Sequence, residues 1–468
     1  MRGASVALLI LLAGCLGPPY VAPRVAAPER WQETPAGVRQ QQPPAARWWS
    51  TFGDATLDGL IGDVAANNLD LRAAAARVRE ARAARGLAAA RARAQVEGVA
   101  LAAESQRSDA VPPFNALPPG ISFGSRRQEL FDAGFDASWE IDVFGGVRRD
   151  VEAAVAQVEA ADEARRDVAI TLIAEVGRNY VELRGAQRRL DVLDARIRIL
   201  RDTLDVVGAR QQAGLTSDLD VARSEALLND TLAARPSLEY AIAAAMHRLA
   251  VLTGRQHEDL TDRLAAHAAI PSVPSDLAVG APADLIARRP DVRRAERELA
   301  AATARIDVAR ADLYPRIALA GAFGRRSDEA SELARSASGY WSIGPLLRWP
   351  LLTGGRVRAQ IDAQRARRDQ AAALFEQSVL RAMEDVENSL SSYGRDQRER
   401  EQLAQAVAAE ARAVAMADSR YRAGLDNFLA VLDAQRTLRD GEDRLAAVET
   451  RTAVSAIALY KALGGGTE

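Results

Sequence analysis

The chain is poor in most of the residues from which active sites are built. Its 468 residues include one cysteine and three histidines. A single Cys15 excludes an intramolecular disulfide. His247, His257 and His267 have no companion cysteine or carboxylate at metal-ligand spacing, so no metal is implied. No glycine-rich phosphate loop and no nucleophile motif occurs, and Gly464-Gly-Gly466 reads as a tail. Nothing therefore supports an enzyme, and no cofactor is implied. Lys461 is the only lysine among 61 basic residues, which reads as a compositional bias and not as a recognition surface. A net charge of −2 gives no global field pointing to nucleic acid. Aromatic residues are only 5% of the chain. No run of 18 or more apolar residues exists, so a helical membrane span is absent and any spanning portion must be strands.

What is present is alanine and charge. Hydrophobic residues make up 48% and charged residues 26%, with proline and glycine scarce inside long windows. That composition favours long packed helices. The N-terminus has its own pattern. Met1-Arg2 is followed by an apolar run from Ala4 to Ala13 that is too short to cross a bilayer but has the layout of a secretory signal. Leu12-Ala-Gly-Cys15 closes it and resembles the bacterial lipobox, in which the cysteine is lipidated and becomes the mature N-terminus. The next residue is Leu16, not Asp, which implies sorting to the outer membrane. Residues 16–53, rich in proline and glutamine, read as an extended arm lying over something else.

From Asp54, a candidate N-cap, the pattern is helical to about Gln95. Near Val96 the period changes to two: Val99, Leu101 and Ala103 alternate with Ala100, Ala102 and Glu104, a weak strand signal. A loop with Pro112-Pro113 and Pro118-Pro-Gly120 follows. Phe131, Ala133, Phe135, Ala137, Trp139, Ile141 and Val143 then interleave with Asp132, Gly134, Asp136, Ser138, Glu140 and Asp142. One face of that strand is apolar and aromatic and the other acidic, as a membrane barrel requires. After Gly145-Gly146 a helix is expected from about Val147 to Gln212, roughly 100 Å long at the helical rise. Gly214 breaks it, and Ser217 or Asp218 caps a helix to about Thr253. His257, His267 and Pro271 to Pro274 mark a linker.

The second half repeats this order. A helix is expected from about Pro282 to Asp312, then strands around Ile317 to Phe323 and Trp341 to Trp349. Pro345 suggests an edge, bulge or strand end. Gly354-Gly355 opens a second long helix to about Arg422, Gly424 breaks it, and a last helix runs to Leu463. At an offset of 210 residues Trp139 matches Trp349, Val176 matches Val386, Gly214 matches Gly424, and Gly254 matches Gly464. This is a duplication of one unit. Arginine-rich helical runs such as Arg365-Ala-Arg-Arg368 read as solvated faces, and Asp385 and Glu387 as local partners of Arg381. Two hairpins give only four strands per chain, which cannot close a barrel, and open edges are not tolerated in lipid. Closure must come from oligomerisation, and a homotrimer with 12 strands is the economical choice.

Taken together, Leu12-Ala-Gly-Cys15, Pro19-Tyr-Val-Ala-Pro23, Trp48-Trp-Ser-Thr-Phe-Gly-Asp54, Ser138-Trp-Glu-Ile-Asp-Val-Phe-Gly145, Arg289-Pro-Asp-Val-Arg-Arg-Ala-Glu296, Asp307 to Pro315 and the turn at Gly424 resemble the outer-membrane factor family of TolC/OprM-like efflux channels, in its lipoprotein branch. The resemblance implies a mainly α fold with membrane β structure. That fold is a trimeric 12-stranded outer-membrane β-barrel continued by a long periplasmic α-helical barrel, with two internal repeats. It implies a Gram-negative outer membrane and a passive exit duct for small molecules, with a periplasmic adaptor and an inner-membrane pump of the resistance-nodulation-division type as partners. The expected divisions are a signal peptide at 1–14, a lipidated arm at 15–53, repeats at 54–254 and 282–468, and an equatorial linker at 255–281. In the family the helix after the last turn carries the constriction, whose positions map onto Leu429, Asp433 and Arg436. Leu429 would form a dewetting ring and Asp433 a ring of carboxylates favouring cations. The two turns, with Gly214, Leu215, Gly424 and Leu425, would be the adaptor-docking tips. Some relatives carry Arg where this chain has Asp426 and Asp where it has Ala430, so their salt-bridge lock is not expected here. A duct for secreted proteins shares the fold, and a structural coiled-coil lipoprotein is the remaining alternative.

Overall fold

The computed structural model describes residues 20–23, 27–40, 45–106, 108, 127–423, 425–426 and 428–466. The signal segment, Cys15, the prolines between residues 111 and 120, and Gly424 lie outside the described residues. The chain begins with a short strand β1 (Val38–Arg39) and helices α1 (Ala55–Asn67) and α2 (Leu69–Ala90). Strands β2 (Gln95–Gln106) and β3 (Arg127–Ile141) lead into α3 (Gly146–Gln212), α4 (Asp218–Ala233), α5 (Arg235–Thr253) and α6 (His257–Leu264). A short β4 (Leu277–Ala278) precedes α7 (Pro282–Arg288), α8 (Pro290–Ala311), β5 (Arg316–Ser327) and β6 (Gly339–Arg348). The chain closes with α9 (Arg356–Arg422) and α10 (Phe428–Ala462). Both long helices, α3 and α9, have 67 residues and begin and end at the 210-residue offset. The chain divides into two compact units.

The first unit comprises residues 1–23, 79–159 and 296–373 and contains the four-stranded antiparallel sheet, in the order β2-β3-β5-β6. Its register pairs Phe135 with Phe323 and Trp139 with Leu319, so the apolar side chains of neighbouring strands share one face. Phe135, Phe323, Trp341 and Ile343 on that face are 57%, 68%, 75% and 67% exposed, so no described residue covers them. On the opposite face Arg326 Nε donates to Asp132 Oδ2 at 3.1 Å and Tyr340 donates to Asp132 Oδ1 at 3.0 Å. The repeated tryptophans have one role. Trp139 Nε1 donates to the carbonyl of Ala92 at 3.0 Å and Trp349 Nε1 to that of Leu313 at 3.2 Å, each tying a strand to the end of the preceding helix. Pro345 lies in β6, whose one partner strand is β5, with Leu319 opposite. The weak strand signal near Val96 is the strand β2. Val99 and Leu101 stand opposite Gly134 and Asp132 on the acidic face, while Ala100 and Ala102 stand beside Ala133 and Phe131. The small residues leave the apolar face to the aromatic rings of β3.

The second unit comprises residues 24–78, 160–295 and 374–468. Three helices expected to be continuous are broken, each for a local reason. Asn68 is extended between α1 and α2; its Oδ1 accepts from Leu71 N–H at 2.9 Å and its Nδ2 donates to Leu252 O at 2.7 Å. Ala234 separates α4 from α5, where Pro236 in the first turn supplies no backbone donor. Arg289 is extended because Pro290 follows it, which ends α7 before α8. The segment read as a linker holds α6, with Leu260 and Leu264 fully buried. Asp54 caps α1 as expected, accepting from Thr56 and Leu57 N–H at 2.8 and 3.0 Å.

The end of the arm is part of the core, not a strap over it. Trp48, Trp49 and Phe52 are buried in a short 3-10 helix, and Trp48 stacks on Tyr460 with centroids 5.1 Å apart. Helices α3 and α10 meet along an antiparallel seam that glycine makes possible. A Cβ at Gly177 would meet Ile457 at 3.2 Å, and one at Gly185 would meet Thr450 Oγ1 at 2.2 Å. Asp385 does not serve Arg381 as expected. It joins Arg289, whose Nη2 lies 2.9 Å from it, while Arg289 also grips Asp291 and donates to Ala462 O at 2.9 Å. A nearly buried guanidinium needs neutralising charge more than a solvated one does. Burial works against the Asp291 carboxylate, but the Arg289 bonds outweigh it and hold it below the usual range. Glu387 accepts from the backbone of Gln32 and Glu33 at 2.8 and 3.1 Å. Arg365 and Arg368 do pair with nearby acids, Asp362 at 3.0 Å and Asp369 at 3.2 Å.

Candidate functional site

The two turns are built alike. At the first, Gly214 adopts φ of 73°, which a side chain would resist, and closes the end of α3. Ala213 N–H reaches Ala209 O at 3.1 Å and Leu215 N–H reaches Arg210 O at 2.8 Å. At the second, Ala423 N–H reaches Ser419 O at 3.1 Å and Leu425 N–H reaches Arg420 O at 2.9 Å. Each bond is the other shifted by 210 residues, so the duplication extends to single hydrogen bonds. Leu215 and Leu425 are 66% and 69% exposed, equivalent apolar side chains held out from both turns.

The turns differ in how the next helix is started. Ser217 is the N-cap of α4, and Asp220 binds the turn from inside. Its Oδ2 accepts from Thr216 Oγ1 at 2.7 Å, Ser217 Oγ at 2.8 Å and Ser217 N–H at 3.3 Å. The Thr216 bond first, and then those from Ser217, hold the Asp220 carboxyl below its usual range. At the second turn Arg420 Nε donates to Asp426 Oδ2 at 2.6 Å. Asp426 is thus occupied by a residue of its own hairpin. Arg210 Nη1 donates to the Tyr421 hydroxyl at 3.2 Å and joins the two hairpins.

Between them lies a cleft of 530 Å³. Leu429, Asp433 and Arg436 all line it, with Val207 and Arg210 of α3 and Arg223 of α4. The sequence spacing of four and three residues puts the three expected gate residues on one face of α10, and that face opens on the cleft. Asp433 and Arg436 are exposed, and no ion pair joins them or ties either side chain to another described residue. Arg223, the counterpart of Asp433 in the first repeat, lines the same cleft. Three arginines face three aspartates there, but Asp220 and Asp426 are engaged within their own turns. Asp433 is the carboxylate left to act outward.

Residues 60–255 and 281–465 match the family described as outer membrane efflux protein. The chain belongs to this family. It is 33% identical over 461 residues to the pyoverdine export outer membrane protein OpmQ of Pseudomonas putida, covering 98% of this chain and 96% of that protein. It is 31% identical over 484 residues to the outer membrane protein OprJ of Pseudomonas aeruginosa, covering 99% and 96%. Among solved structures it superposes on the outer-membrane channel OprN with a TM-score of 0.87 and 35% identity, covering 97% of this chain and 99% of that one. The outer membrane efflux family is one of transport channels, not a known enzyme family.

Each segment of the efflux chain that matches the family contains one turn and one long helix. Two features of the site were missed in the sequence. Asp220 was signalled by Ser217-x-x-Asp220, the spacing of a capping box. The Arg210–Tyr421 bond had no local signal, because its partners are 211 residues apart. Among the described residues no group of three histidine, cysteine, aspartate or glutamate side chains could hold a metal. His267 instead bonds Asp191 at 2.7 Å, and His247 and His257 meet edge to face at 4.4 Å.

Proposed function

We propose that this chain is the outer-membrane channel of a tripartite efflux system, a passive exit duct for small molecules with no enzymatic step. Three copies supply four strands each to a 12-stranded barrel, and their long helices form the periplasmic tube. The observation that carries this reading is the apolar face of the sheet. From Phe131 to Ile141 it runs ten residue steps, about 33 Å at the strand rise. Tilted by about 40° it covers about 25 Å of membrane, the height of an outer-membrane apolar band. Trp139 and Trp349 mark one end of the band, and Trp341 stands level with Phe323 and Phe135 within it. Among the described residues the same sheet has two unpaired edges, β2 and β6, which lipid does not tolerate unless neighbouring copies pair with them.

Residues 1–14 act as the export signal, Cys15 carries the lipid, and residues 15–53 form the lipidated arm. Repeats at 54–254 and 282–468 flank an equatorial segment at 255–281. At the periplasmic tip Leu429, Asp433 and Arg436 from three copies narrow the duct. The tip turns, with Gly214, Leu215, Gly424 and Leu425, receive the periplasmic adaptor, whose docking realigns the helices and opens the tip for molecules delivered by an inner-membrane pump. The names of the relatives support small-molecule export over protein secretion: one is an export protein for pyoverdine, and others are named for efflux of solvent and toluene. The test is a deletion strain. Loss of the gene should sensitise cells to pump substrates, the restored protein should fractionate with the outer membrane, and unheated samples should migrate as a trimer. A monomer in the soluble fraction would end this reading.

A further inference from the structure

Tyr20 is the first described residue of the arm, and it is half-buried. Its side chain packs on a floor of three alanines, Ala156 of α3 and Ala300 and Ala301 of α8, which are 7%, 7% and 0% exposed. Small side chains on both helices leave a notch wide enough for a ring. Arg297 of α8 forms one wall, with its guanidinium 5.9 Å from the centre of the Tyr20 ring, within reach of a cation–π contact. That guanidinium is itself held from both helices. Glu296 accepts from its Nη2 at 2.6 Å, and Glu159 of α3 accepts from its Nη1 at 3.1 Å. Burial first, and then Glu296, push the Tyr20 phenol up from its usual range, so the ring sits in the notch uncharged.

The notch lies at a fixed depth below the sheet. Helices α3 and α8 run antiparallel and in register: a Cβ at Gly146 would meet that of Ala311 at 2.8 Å, Arg149 meets Asp307 at 3.5 Å, and Arg297 meets Glu159. The start of α3 follows β3 directly, and the end of α8 leads directly into β5. Ala156 is ten residues from the first of these ends and Ala301 ten residues from the second. At the helical rise, the notch is therefore about 15 Å from the sheet end of both helices. Cys15 precedes Tyr20 by five residues, which span at most about 18 Å. The reach of the chain and the climb to the sheet nearly match.

We propose that Tyr20, seated between α3 and α8, is the fixed lower end of a short membrane tether. It holds the lipid on Cys15 at the membrane surface beside the junction of sheet and helices and so sets how deep the helices hang. The proposal rests on the reading of Cys15 as the lipidated residue and of the sheet as the membrane part, and it deepens that reading. Tyr20 is a positioning residue: it touches neither the lipid nor the gate. Without its seat the tether would be far longer. The next buried described residue of the arm is Trp31, 3% exposed, whose Nε1 donates to Gly280 O at 2.9 Å. Trp31 follows Cys15 by sixteen residues, a reach of up to about 55 Å. A lipid on that leash would not define a depth. On five residues it does.

The test changes the length of the tether in the full chain and reads trimer in the outer membrane on unheated gels, with incorporation of labelled palmitate measured alongside. Deleting Pro18 and Pro19 leaves three residues between Cys15 and Tyr20, a span of at most about 11 Å, too short for the climb. Trimer should fall severalfold while palmitate is still incorporated. Replacing the two prolines by Gly-Ser keeps the length and should be silent. Adding Tyr20→Ala to the deletion frees the arm as far as Trp31 and should restore trimer to the level of Tyr20→Ala alone. Adding Tyr20→Phe keeps the ring in its notch and should restore nothing. Rescue by removing a packed side chain is not expected of a merely structural tyrosine. Native trimer in the deletion variant would show slack in the tether and overturn the proposal. So would a defect that Tyr20→Ala fails to relieve, an equal defect with Gly-Ser, or loss of trimer from Tyr20→Ala by itself. A native chain that takes up no palmitate would instead remove the reading of Cys15 on which the proposal stands.

Discussion

Replacing Gly185 by alanine tests the α3–α10 seam at its tightest point. The new Cβ would lie 2.2 Å from Thr450 Oγ1, 2.7 Å from its Cγ2 and 3.0 Å from its Cβ. Ordinary contacts are about 3.5–4.0 Å, so the helices must part by roughly an ångström or Thr450 must turn. Turning is opposed by the bond from Thr450 Oγ1 to Ala446 O at 2.8 Å. Overpacking of this kind costs about 1–3 kcal/mol, and the short branched side chain argues for the upper end. Alanine is the better helix former by about 1 kcal/mol, so a net loss of about 2 kcal/mol per chain is expected. Thr450→Ala removes the two closest atoms, and in that background Gly185→Ala should be nearly neutral. The coupling in the double-mutant cycle is therefore about 2 kcal/mol, read from thermal unfolding of the four proteins by circular dichroism in detergent. A Gly185→Ala protein as stable as the native one in both backgrounds would show that the seam has slack and would refute the reasoning.

Further expectations concern buried charge. Asp63 accepts from Arg255 at 2.7 Å and Arg263 at 2.8 Å. Burial raises its pKa, but the two arginines outweigh it and bring it below the ordinary 3.8. A depressed folded pKa stabilises above the unfolded value, and that contribution is lost as pH falls through the folded one. Asp63→Asn should therefore cost about 1.5–3 kcal/mol at neutral pH, and its difference from the native protein should shrink in unfolding measurements below about pH 4. Arg289→Ala strands Asp291, Asp385 and the Ala462 carbonyl, so a loss of about 3–5 kcal/mol is expected. Arg289→Lys keeps the charge without the fork and should fall between, both judged by trimer yield and unfolding midpoint.

Much of this architecture is legible in the sequence because the chain states it twice. The alternation around Trp139, the helix-ending Gly214 and the 210-residue register with Trp349 are strong local signals, and the structure repeats them down to single hydrogen bonds. The helix breaks were legible too. Pro236 and Pro290 stand in plain view, and Asn68 is a good cap residue, but long helical periodicity outweighed them. Other features were not legible for a physical reason. Val99 and Leu101 point to the acidic face because register is set by the partner strand, not by hydropathy within β2. The partners of Asp385 and Glu387 are far away in sequence, where the i,i+4 rule has nothing to say. At the tip, spacing placed Leu429, Asp433 and Arg436 on one face, but only the fold shows that the face opens on a cleft shared with Arg223.

The most direct test of the account is single-channel conductance of the purified trimer with Asp433→Ala and Arg436→Ala together, paired with vancomycin susceptibility of cells carrying the same protein. The account predicts a severalfold rise in conductance and sensitivity to an antibiotic that the closed tip excludes. Native conductance and native resistance in that variant would contradict it.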